Sequence, residues 1–78
     1  ELLIEVYPNP VINQVSITSE NNFNGVMILD GTGRIVMNEQ FSNRNSTTVD
    51  VKNLAVGNYI IVVNDENGTS NHAIIKTD

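Results

Sequence analysis

The residues able to do chemistry in this chain are few and scattered. His72 is the only histidine, and there is no cysteine. A zinc site normally takes three or four His, Cys or carboxylate ligands, so His72 is expected as a solvent-facing strand residue and not a ligand. The same shortage leaves a Ser-His-Asp arrangement with no motif to select its serine and aspartate. Asp30 to Arg34 reads DGTGR. It lacks the lysine-serine pair of a P-loop and the third glycine of a dinucleotide fingerprint, so a hairpin turn is the better reading. Asn64 to Gly68 reads NDENG, without the alternating oxygen ligands and closing glutamate of a calcium loop. A solvated turn is expected there. The triplets Asn45-Ser46-Thr47 and Asn67-Gly68-Thr69 match a glycosylation acceptor. Such triplets arise readily in an asparagine-rich chain, and they carry no argument. No catalytic, metal or cofactor site is expected.

Overall charge narrows the partners. The net charge of −5 and a pI near 4.5 oppose nucleic-acid binding, which needs a basic patch to displace counterions. They oppose an anionic membrane surface equally. The aromatic residues are Tyr7, Phe23, Phe41 and Tyr59, with no tryptophan. A stacking platform for sugars or single strands wants more exposed rings than these. No apolar stretch approaches the ~20 residues needed to span a bilayer as a helix. The chain opens at once in sheet-like sequence without a signal peptide, and so reads as an excised piece of something longer.

The elements that would position these residues are strands. Period-2 alternation dominates. Leu2, Ile4 and Val6 alternate with Leu3, Glu5 and Tyr7; Val15 and Ile17 alternate with polar neighbours. Val26 to Leu29, Arg34 to Phe41 and Thr47 to Val51 continue the pattern. Gly57 to Asn64 is apolar on both faces, as a central strand would be, and Thr69 to Thr77 closes the series. Asn24-Gly25 and Asn67-Gly68 supply turns, and Ser42 to Asn45 a polar loop. Turn signals recurring every ~8–12 residues predict an all-β fold, an antiparallel β-sandwich of about seven short strands, which the Leu54–Tyr59 motif sharpens to a small immunoglobulin-like one. No linker or low-complexity tract divides residues 1–78, so one domain is expected. At this size folding buries only about 60% of the unfolded chain's surface, and stability is expected to be modest. In LAVGNY, Leu54 to Tyr59, the tyrosine heads a buried strand and resembles the tyrosine corner of such sandwiches.

With strands and turns placed, the order of motifs becomes recognisable. VYPNPV opens the chain, ILDGTGR closes a strand, VDVKNLAVGNYIIVV follows, and NHAIIK ends it. That order resembles the type A C-terminal sorting domain of the type IX secretion system and covers nearly the whole chain. The resemblance implies a non-catalytic signal that takes a cargo, joined N-terminally in the same chain, from the periplasm to the outer-membrane translocon. A sortase-like peptidase would then remove the signal, with the cargo released or anchored at the cell surface. It also implies roles for single residues. Pro8, Asn9 and Pro10 correspond to the opening motif, and Asp30, Gly33 and Arg34 to a turn of aspartate, two variable residues, glycine and a basic residue. Leu54, Gly57 and Tyr59 fit the corner. Ile74, Ile75 and Lys76 fit a basic-tipped last strand.

Translocon recognition is expected of Ile74, Ile75 and Lys76, with Pro8, Asn9, Pro10, Asp30 and Arg34. A fold role is expected of Gly33, Leu54, Gly57 and Tyr59. The chain departs from the pattern at Gly31, where a larger residue is usual, and at His72 and Ala73, where lysines are common. Two other readings are an adhesive or spacer β-sandwich and a carbohydrate-binding accessory domain. The first could sit anywhere in a longer protein, and the second would need exposed rings in a groove. The prolines of VYPNPV lack N–H donors and constrain the residues before them, which places them at a sheet edge or a crossing between sheets.

Overall fold

The computed structural model describes residues 4–78, so the expected strand positions Leu2 and Leu3 lie outside the described residues. The chain forms β1 (Ile4–Tyr7), β2 (Gln14–Leu29), β3 (Ile35–Asp50), β4 (Gly57–Asp65) and β5 (Gly68–Lys76). All named pairings are antiparallel. The sheet runs β1-β2-β4-β5, and β3 pairs with the other side of β2.

The all-β antiparallel class is as expected; the strands are fewer and longer. The turn expected at Asn24-Gly25 lies inside β2, and the loop expected at Ser42 to Asn45 lies inside β3. Two register shifts flank Phe23 in the β2–β3 ladder, one between Thr18 and Phe23 and one before Gly25. An odd shift moves the inward face from one parity to the other. Val15 and Ile17 point inward before it, Val26 and Ile28 after it, all at most 2% exposed. Gly25 has no positive φ. A side chain there would meet the Gln40 amide, with Nε2 3.1 Å from an added Cβ. Phe23 is fully buried and meets Phe41 edge-on, with centroids 5.8 Å apart.

These shifts give β2 two sets of neighbours. Its first half pairs with β1 and the end of β3, and its second half with β4 and the start of β3. The sheet therefore curls around one core, to which Ile61 and Val63 of β4 and Ile74 of β5 contribute. Each such valine or isoleucine removed from water is worth ~1.5–3 kcal/mol. As expected for a central strand, Ile61, Val62 and Val63 are all buried. The VYPNPV stretch is a crossing. Pro8 and Pro10 are exposed and outside any ladder, and both follow cis peptide bonds. The chain leaves β1 at Tyr7 and reaches the far edge of β5, where buried Val11 forms a parallel bridge with Lys76.

Candidate functional site

Asn9 shows how the opening motif is used. Its side-chain amide takes the place of a strand residue along the outer edge of β5. Oδ1 accepts from the Ile75 amide at 3.0 Å, and Nδ2 donates to the Ala73 carbonyl at 3.3 Å. Val11 continues the ladder, donating to the Ile75 carbonyl and accepting from the Thr77 amide, each at 2.8 Å. Residues 66 positions apart are thus stitched together. The outer edge of the last strand, where translocon recognition is expected, is thus already occupied over Ala73 to Thr77.

The second segment is the hairpin of DGTGR. Asp30 Oδ1 accepts from the Thr32 amide (2.9 Å), the Thr32 hydroxyl (2.7 Å) and the Arg34 amide (3.0 Å). The Arg34 guanidinium donates to Oδ2 at 3.2 Å. The Thr32 hydroxyl first, then the Arg34 amide, hold this carboxyl down at about 2 against its ordinary 3.8. Gly33 has φ 89, which a Cβ would resist, and its amide donates back to the Asp30 carbonyl at 2.9 Å. The hairpin expected from the sequence is therefore present, closed by its own aspartate.

The tyrosine corner is present as well. Tyr59 is 7% exposed, and its hydroxyl donates to the Ala55 carbonyl at 2.6 Å, closing the connection before β4. Leu54 packs half-buried against the core, and its amide donates to the Val51 carbonyl at 3.0 Å. Gly57 begins β4 opposite Lys76.

On β5 the two faces separate. Ile74 is 2% and Lys76 4% exposed, whereas Ile75 is 47% exposed. Lys76, the basic tip at which translocon recognition is expected, is not on the surface; it shares the inward face with Ile74 because strand side chains alternate. Its ammonium donates to the Thr77 carbonyl at 3.0 Å, and Gly57 across the ladder offers no side chain against its stem. Arg44 lies over the Phe41 ring at 4.3 Å, and Arg34 is spent on Asp30. Lys52 is the remaining cation, and it is exposed. His72 is half-buried, more enclosed than expected, and shares a hydrogen bond with the Ser70 hydroxyl at 3.0 Å. Partial burial holds its imidazole below the ordinary 6.5.

These segments meet. An open groove of about 620 Å³ is bounded by Asn9, the Asp30–Gly33 turn, and the outer faces of β4 and β5 at Asn58, Ile60, Ala73 and Ile75. Asn9, Asp30, Gly33, Tyr59, Ile74 and Ile75 line it; Pro8, Pro10, Arg34, Leu54, Gly57 and Lys76 do not. Leu29, Ile60 and Ala73 also line it, and no sequence motif marks them as site residues. The apolar character of both faces of residues 57–64 was the cue that could have found Ile60.

Comparison with known proteins decides what this assembly belongs to. A family model described as the secretion system C-terminal sorting domain matches residues 5–77. The chain belongs to that family. Among curated proteins none matches it. The family match indicates a sorting signal for type IX secretion and implies a cargo handled by that machinery, with export to the cell surface or the extracellular space. Sorting domains of this family are in general non-catalytic. In this sorting domain, every segment that carried the resemblance contributes to one groove or to the ladder beside it.

Proposed function

We propose that residues 1–78 are a single sorting unit that directs a cargo, joined N-terminally, through the type IX translocon of the outer membrane. In this reading the cargo crosses the periplasm first. A sortase-like peptidase then removes the signal, and the cargo is released or anchored at the surface. The observation that carries the reading is the family match over residues 5–77. Support for one unit comes from the Asn9–Val11 staple, which ties the opening motif to the last strand. We read the curled sheet as an immunoglobulin-like sandwich whose two layers share β2 and β3, a reading supported by the Tyr59 corner.

The test is a fluorescent reporter carrying a periplasmic export signal at its N-terminus and residues 1–78 at its C-terminus. Surface fluorescence is expected only when the domain and the translocon are both present. Surface display in cells lacking the translocon would contradict the proposal, as would retention in cells that have it. Deleting residues 74–78 is a poorer test, because Ile74 and Lys76 are buried and Thr77 bonds Val11, so the deletion would unfold the domain.

A further inference from the structure

The outer face at the groove carries apolar side chains that the core does not require. Ile35 lies opposite Leu29, Leu29 opposite Ile60, and Ile60 opposite Ala73, so one row of cross-strand partners spans β3, β2, β4 and β5. Their strand neighbours Ile28, Ile61 and Ile74 face inward. In the row, Ile35 is 55% exposed and Ile60 37%, and Ile75 (47%) extends it along β5. Single exposed aliphatic residues are ordinary, but a contiguous row across four strands marks a contact surface. Threonine at any of these positions would keep the strand and stay wet. The row ends at hydrogen-bonding groups, with Asn9 on the β5 side and the Asp30–Gly33 turn at the strand ends.

We propose that this row docks an apolar ridge flanked by lysine or arginine on a protein of the type IX machinery; the proposal rests on the sorting reading above. Charge selects the occupant. The chain carries −5, and three of its four cations are buried, ion-paired or stacked on a ring. The field of the whole chain is therefore acidic, although the groove's own carboxylate, Asp30, is paired with Arg34; that long-range field favours a basic-flanked protein and opposes an anionic lipid headgroup layer. A second copy would bring like charge to like charge.

The experiment places the photo-crosslinker p-benzoylphenylalanine at Ile60 or Ile75 of the exported reporter fusion, with Asn43 and Asn67 as controls at the other end of the domain. Illumination is expected to give adducts from Ile60 and Ile75 with a translocon subunit, and none from the controls. The adduct is expected to map to a peptide of aliphatic or aromatic residues flanked by lysine or arginine. Adducts with lipid, with a second copy of the domain or with an acidic peptide would overturn the proposal. So would equal labelling from the controls, or no adduct while the fusion still reaches the surface. The unmodified fusion reports separately on the sorting reading. Its failure to reach the surface overturns both, and its normal export without groove adducts overturns the docking surface alone.

Discussion

The domain contains two hairpin turns built on one plan and set in opposite surroundings. Asp30–Gly33 and Asp65–Gly68 both place aspartate first and glycine fourth. In each, the aspartate Oδ1 accepts from the amide two residues on, at 2.9 Å from Thr32 and 2.8 Å from Asn67. Each ends on a glycine of positive φ, 89° at Gly33 and 132° at Gly68. Beyond that they diverge. Asp30 also takes the Thr32 hydroxyl and both the amide and the guanidinium of Arg34, and its turn borders the apolar groove. The Asp65 turn borders a polar cleft of Asn21, Asn22, Asn43 and Glu66. The backbone device is common; the extra hydrogen bonds and the apolar setting belong to the end where the family motifs converge.

Asp30→Ala and Asp65→Ala test that difference most strongly. Asp30→Ala removes the acceptor of four hydrogen bonds and is expected to lower the denaturation midpoint clearly more than Asp65→Ala. Equal losses in urea titrations would mean that the extra bonds add nothing. Asn9→Ala comes next, with a loss of ~1 kcal/mol, the scale of a net hydrogen-bond contribution. Its signature is local: amide exchange at Ile75 should accelerate while that of the Asp65–Gly68 hairpin stays as it was. Uniform acceleration would show that Asn9 does not act as a staple on β5.

Acid sharpens the same contrast. Because the folded Asp30 carboxyl lies at about 2 and its ordinary value is 3.8, its contribution is complete above about 3.8 and is lost as the pH falls toward 2. Wild type should therefore lose more stability than Asp30→Asn between pH 4 and pH 2. Parallel curves for the two proteins would contradict the hydrogen-bond network. Gly31→Ala is the smallest effect, and a gain. Gly31 needs no positive φ, and an added Cβ would lie 3.8 Å from the Asn58 carbonyl, an ordinary contact. A gain of ~0.4–1 kcal/mol is expected from the reduced freedom of the unfolded chain. A loss in thermal unfolding would show that the turn does rely on glycine there.

Much of this was legible in the sequence because local chemistry dictates it. The DGTGR hairpin, the Tyr59 corner, the central character of residues 57–64 and the placement of Pro8 and Pro10 in a crossing outside the ladders each follow from a few adjacent residues. What was missed depends on long-range register. Asn24-Gly25 looks like a turn, yet it continues β2, because the buried Phe23 and the shifts around it carry the strand from one set of neighbours to another. The change of parity between Val15/Ile17 and Val26/Ile28 was a readable sign of that shift. Lys76 looked like an exposed tip because charge argues for solvent, whereas strand parity places it beside Ile74. The row of Ile35, Leu29, Ile60 and Ala73 is invisible until the register of four strands is known.

The most direct test of the groove end as the recognised end is the export yield of the reporter fusion in two double variants. Ile60→Thr/Ile75→Thr strips the exposed row, and Glu66→Ala/Asn67→Ala alters the other hairpin; both sets of side chains are exposed. With melting temperatures matched to wild type, the first should lower surface yield about tenfold or more, the equivalent of losing ~1.4 kcal/mol of contact, and the second should leave it unchanged. Equal yields from the two variants, or a loss confined to the second, would contradict the account.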